Sequence, residues 1–123
     1  MINDTSGRPV ETWHALRGVV LGLDRRFPNH NGPFERITRL TEEAGELAAA
    51  VAHAEGMGVK NDKHGAFDTE NLVKEIQDVL RAAVGIARHY GVEQDLEDSI
   101  GHHYRRYQDM GYLTDDDIPA APA

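Results

Sequence analysis

Apolar residues recurring three and four positions apart, in four separate stretches and with no β-branched alternation between them, limit this chain to one-sided helices. The first stretch starts near Pro9 and runs through Leu16, Val19, Val20 and Leu23 until Pro28 stops it. After a loop over 28–33, a second helix is expected from about Phe34 to Glu55, with Ile37, Leu40, Ala44, Leu47 and Val51 on its buried face and Gly56 and Gly58 ending it. Asp68 or Thr69 caps a third helix that reaches about Tyr90 before Gly91, with Leu72, Ile76, Val79, Leu80, Ala83, Ala87 and Tyr90 as its stripe. A fourth runs from about Glu93 to Met110, with Leu96, Ile100, Tyr104 and Tyr107 inward. The expected fold is all-α, a four-helix bundle over residues 9–112, with 1–8 and 113–123 as mobile tails of low apolar content.

A core built from 123 residues is modest. Chains of this kind complete apolar burial by pairing subunits, so a homodimer or homotetramer is expected. Asp and Glu total 21 against 13 Lys and Arg, a formal net charge of -8 that is the reverse of a nucleic-acid-binding surface. There is no cysteine, hence no disulfide frame and no thiolate zinc site. No run approaches the roughly 20 apolar residues that span a bilayer, and MINDTSGRPVETW has no basic, then apolar, leader pattern. The expected setting is cytoplasmic, with neither nucleic acid nor membrane as partner.

Chemistry concentrates on the two central helices. RLTEEAGELAAAV carries Glu42, Glu43 and Glu46, and LVKEIQDVL carries Glu75 and Asp78. Carboxylates three apart share one side of a helix and can reach a common cation. At about 100° per residue, Glu43 and Glu46 lie roughly 80° and 140° from the centre of their apolar stripe; Glu75 and Asp78 lie roughly 75° and 135° from theirs, in the same sense. An antiparallel hairpin packed stripe to stripe therefore brings both pairs to one face, and counting 1.5 Å per residue through the connection leaves them nearly level. Converging carboxylates repel unless a cation neutralises them. Oxygen-only ligands favour Mg²⁺, Mn²⁺ or Ca²⁺, and Mg²⁺ commonly takes substrate phosphates as further ligands.

EEAGE, a gap of 28 residues and EIQD resemble the EExxE and ExxD signature of the MazG-like all-α nucleoside triphosphate pyrophosphatases, which include helical dUTPase and dCTPase relatives. The resemblance implies hydrolysis of a nucleoside or deoxynucleoside triphosphate between the α and β phosphates, giving monophosphate and pyrophosphate, in the cleaning of nucleotide pools. By motif position Glu43, Glu46, Glu75 and Asp78 would hold Mg²⁺, with Mn²⁺ able to substitute, and Glu42 would orient or deprotonate the attacking water. Where relatives carry a lysine and an asparagine for the triphosphate, this chain has His102, His103, Tyr104, Arg105 and Arg106. Arg105 or Arg106 would then supply a phosphate contact, and Trp13 is a candidate to stack on a base or to pack a subunit contact. The loop over 56–65, with Lys60 and Lys63, is a candidate to close over substrate.

Other readings make different demands. An acidic face laced with Arg39–Glu43, Lys74–Asp78 and Asp78–Arg81 pairs needs no metal. A di-iron bundle needs an ExxH unit on two helices, and only Glu11 and His14 form one. The alternative outside enzymes is a non-catalytic helical interaction or regulatory module that keeps the acidic face.

Overall fold

The computed structural model describes residues 1–57 and 68–117; the expected loop lysines Lys60 and Lys63, Gly58 and the end of the C-terminal tail lie outside them. The described residues form four α-helices: α1 (Thr12–Arg26), α2 (Pro33–Ala54), α3 (Thr69–His89) and α4 (Glu93–Asp109). The class is all-α, and no described helix is long and apolar enough to cross a membrane. Two compact units divide the chain at residue 90.

Local signals set the helix ends. Pro33 opens α2, needing no hydrogen-bonded N–H in the first turn. Asp68 caps α3, its side chain accepting from the Asn71 N–H at 3.3 Å. Gly91 and Gly111 follow α3 and α4 at φ of 67° and 79°, the left-handed region that terminates helices.

The N-terminus departs from expectation. Ile2–Asn3 (β1) pairs antiparallel with Pro9–Val10 (β2), so the turn-prone residues expected as a tail form a short hairpin and Pro9 lies in a strand, with α1 starting at Thr12. The cause is the turn between them: the Asp4 carboxylate accepts from the Ser6 N–H, the Ser6 hydroxyl and the Arg8 N–H. These bonds, the Ser6 hydroxyl foremost, hold the Asp4 carboxyl below its usual range. At the other end, the acidic triplet folds into a short 3-10 turn, Asp115–Asp117, in which the Thr114 N–H donates to Asp117.

In the first unit α1, α2 and α3 meet around one ionic junction. Asp24 on α1 accepts from Arg36 on α2 at 2.8 Å and from Arg88 on α3 at 3.0 Å. Arg36 is 7% exposed and also donates to the Asn31 carbonyl at 2.7 Å. It lies under Gly85 of α3, where a Cβ would sit 3.0 Å from Arg36 Nη1. Val20, Ala50, Ala82, Val84 and Ala87 form the buried apolar core.

That core is small because the hairpin of α2 and α3 is turned differently from the expected packing of stripe on stripe. Ile37 and Val51 on α2, and Ile76, Leu80 and Tyr90 on α3, are exposed, while Arg36, His53 and Glu75 are buried. Leu40, Leu47, Leu72 and Val79 of the expected stripes stay half-buried, while small residues and the Arg36 junction draw the polar flank in beside them and leave the other large residues of the stripes outward. α4 carries no buried residue, and Ile100, Tyr104 and Tyr107 on its expected inner face are exposed.

Burial pushes the Asp24 carboxyl up, but hydrogen bonds and charge from Arg36 and Arg88 outweigh it and hold the group below its ordinary value of 3.8. A depressed carboxyl stabilises the fold above the unfolded pKa, and that stability is lost as pH falls through the folded one. Asp24→Asn is expected to cost about 1.5–3 kcal/mol at neutral pH, the range for hydrogen bonds to charged groups. Urea melts at pH 7 and in the acid range check both points: the variant's deficit should shrink as pH drops below about 4.

Candidate metal centre

Glu43 faces inward from the middle of α2, one turn past Arg39, while Glu75 and Asp78 face it from the first half of α3. One carboxylate oxygen from each of these three residues lies within 4.8 Å of the others. The antiparallel register explains the meeting: Arg36 sits opposite Gly85, so residues two turns along α2 arrive opposite residues two turns back along α3. Glu75 is 6% exposed, whereas Glu43 and Asp78 are half-buried.

Two cations from α3 serve the group. Lys74 Nζ contacts Asp78 at 2.8 Å and Glu75 at 3.8 Å, and Arg81 spans Asp78 through Nε at 3.2 Å and Glu43 through Nη2 at 3.7 Å. They leave it incompletely satisfied. Glu43 Oε2 and Glu75 Oε2 are buried without a hydrogen-bond partner, a condition that costs about 1–3 kcal/mol or more per group.

The electrostatics divide the carboxylates. Burial, then the negative charges of Asp78 and Glu46, raise the Glu43 pKa against the opposing pull of Arg81. Burial also acts upward on Asp78, but the Lys74 hydrogen bond and the charge of Arg81 overcome it and hold Asp78 low. Lys74 is shifted up in turn by its bond to Asp78 and the nearby acids. Carboxylates within 4.8 Å of one another, one easy and one hard to ionise, with two orphaned buried oxygens, fit a hard divalent cation, which would take such oxygen donors and relieve the repulsion.

Of the four residues expected as metal ligands, the structure groups Glu43, Glu75 and Asp78. Glu46 is exposed and outside the group, one turn further along α2, though near enough for its charge to act on Glu43. Glu42 is exposed on another face, lining an open depression with His30, Phe34, Thr38 and Arg39. Trp13 is half-buried on α1, its indole N–H buried without a partner. Arg105 and Arg106 are exposed on α4 in the second unit, Arg105 folding back over Gly101 of its own helix.

The expected Lys74–Asp78 and Asp78–Arg81 pairs both form. Arg39 instead donates to the His30 carbonyl at 3.2 Å, and Glu43 takes Arg81 from across the hairpin. That cross-helix role escaped sequence reasoning, because Arg81 is already accounted for by its local partner three residues away.

The first unit thus has a helical hairpin with a carboxylate triad at its centre, the mark of a candidate metal-binding all-α protein. The uncharacterized protein YvdC of Bacillus subtilis (strain 168) is 36% identical to the chain over 86 residues, covering 68% of this chain and 79% of that protein. The chain belongs to the family of that protein. Neither a family model nor a solved structure matches it significantly.

Because the Glu43 pKa is raised, its ionised form opposes folding above that pKa, and the opposition is relieved as pH falls through it. In metal-free buffer at pH 7.5, Glu43→Gln should therefore melt higher than wild type. Wild type should gain on adding Mg²⁺, by about 2.7 kcal/mol at a hundredfold excess over Kd, and the variant should gain little. Thermal melts with chelator and with Mg²⁺ read both signs.

Proposed function

We propose that the chain is a Mg²⁺-dependent nucleoside triphosphate pyrophosphohydrolase of MazG-like type, splitting its substrate between the α and β phosphates. The observation that carries this reading is the convergence of Glu43, Glu75 and Asp78 from two helices with two buried, unpartnered oxygens. It is supported by the EExxE and ExxD strings, which contribute these residues and Glu46 in one register.

In this reading Glu43, Glu75 and Asp78 hold the cation, with Glu46 adding its charge at the rim. The cation, when bound, neutralises charge on phosphate oxygens and fixes the substrate's position. Glu42 is assigned the attacking water's proton by motif position alone, since its side chain lies on another face of α2 from the carboxylate group, with His30 and Phe34. Pyrophosphate leaves with the electron pair of the broken bond between phosphorus and the bridging oxygen. Arg105, Arg106 and Trp13 remain substrate contacts proposed from their types and from motif position.

The proposed working form is a homo-oligomer. Val73, Ile76 and Leu80 line one side of α3 at spacings of three and four and are 55%, 42% and 49% exposed. Burying such a stripe against a second copy contributes roughly 25 cal/mol per Å² removed from water. Leu80→Glu should lower the mass measured by sedimentation equilibrium, whereas an unchanged mass would leave the stripe without this role.

Pyrophosphate release should appear with Mg²⁺ in a panel of ribo-, deoxy- and modified nucleoside triphosphates, and vanish with chelator. Glu75→Gln and Asp78→Asn should each lower it at least about a hundredfold, as expected for loss of a metal ligand. A folded, Mg²⁺-stabilised protein that releases pyrophosphate from no nucleotide would instead be a binding or regulatory module.

A further inference from the structure

Arg81 stands between two environments. On one side it spans Glu43 and Asp78; on the other it lines a small cleft of about 20 Å³ with Asp24, Arg36, Arg39 and Gly85. Within that cleft Arg36 is committed to Asp24 at 2.8 Å and to the Asn31 carbonyl. Arg39, which also lines the cleft, donates to the His30 carbonyl at 3.2 Å. The Arg81 side chain is 24% exposed, and its contact with Glu43, at 3.7 Å, is longer than a hydrogen bond. The guanidinium is held strongly by one carboxylate and loosely by the other.

Resting on the metal-site reading above, we propose that Arg81 exchanges partners: it is the counter-ion of Glu43 and Asp78 in the metal-free protein, and a phosphate-binding residue once a divalent cation takes those carboxylates. A cation and a guanidinium compete for the same oxygens, so a cation that occupies them frees planar N–H donors beside the metal site. A guanidinium fork suits phosphate oxygens. The cleft with Asp24 and Arg39, at about 20 Å³, has room for little more than one water, so the phosphate would meet Arg81 on its carboxylate side. The ligand class is a polyphosphate carried as its divalent-cation complex.

This exchange predicts opposite effects of one substitution on two ligands. Losing the competitor should tighten the metal alone, while losing the guanidinium should weaken the polyphosphate. The probes are Mn²⁺ alone, followed by electron paramagnetic resonance, and inorganic triphosphate at saturating Mg²⁺, followed by calorimetry. R81Q is expected to bind Mn²⁺ about three- to tenfold more tightly than wild type and magnesium triphosphate at least about tenfold more weakly. R81K, which keeps the charge without the fork, should fall between on both counts and serves if R81Q does not fold.

Unchanged affinity for both probes in R81Q, or in R81K where only it folds, would overturn the exchange while leaving the metal site standing. So would a shift of both affinities in the same direction. Wild type that binds no Mn²⁺ would overturn the exchange together with the metal-site reading beneath it.

Discussion

The carboxylate of Asp24 decides how the three helices of the first unit meet. By accepting from Arg36 and Arg88 it ties α1 to α2 and α3 through a single oxygen, Oδ2, with only 17% of its side chain exposed. A guanidinium as deeply buried as that of Arg36 needs such a partner, because an unpaired charge there costs several kcal/mol. Held by Asp24 and the Asn31 carbonyl, Arg36 occupies the space that the missing side chain of Gly85 leaves. An alanine at that position would press on a guanidinium that cannot move without giving up its bonds. The junction thus fixes the register of α2 on α3, and with it the arrival of Glu43 opposite Glu75 and Asp78.

The same register puts the carboxylates where they stabilise the fold least. The inner flank of the hairpin could have carried apolar side chains; it carries Arg36, Glu43, Glu75 and Asp78, with Lys74 and Arg81 compensating only part of the negative charge. Fully apolar replacements of buried ionic groups are often neutral or stabilising, so stability alone does not explain this arrangement. Two acceptor oxygens are left with nothing to bind. Carboxylates pushed apart in proton affinity and desolvated together mark the group as a candidate functional site.

Much of this was legible in the sequence, for identifiable reasons. Helix boundaries fell within a residue or two wherever Pro33, Asp68, Gly91 or Gly111 marked them, since those residues act through local backbone geometry. The meeting of Glu43 with Glu75 and Asp78 was also legible, because equal rotational offsets on two antiparallel helices survive a change in which face makes contact. That face itself was not legible. The apolar stripes on α2 and α3 read as the core, and nothing local says that Arg36 and a glycine will draw the helices together along a different line. Nor does any short-range pattern connect Asp24 with Arg88, 64 residues away. The β-hairpin was missed for the opposite reason: its strands are two residues each, and its stability lies in the Asp4 turn, for which the sequence offered Asp4, Ser6 and Gly7 as a signal.

The outward apolar stripes and the inward carboxylates follow from a single rotation of the hairpin. A helix pair that used its apolar faces internally would have buried Ile76 and Leu80 and turned Glu75 toward water, where a carboxylate binds a cation weakly because water competes for both. Rotating the pair so that its polar flank is inside desolvates Glu75, strengthens every electrostatic interaction around it, and leaves Val73, Ile76 and Leu80 exposed as a connected strip. In the proposed oligomer, burial of that strip would supply hydrophobic energy that the single chain leaves unused. A second copy on that strip would stabilise the rotated hairpin, and hence the carboxylate geometry, without touching a carboxylate. In such an arrangement subunit pairing and metal affinity are coupled through hairpin packing alone.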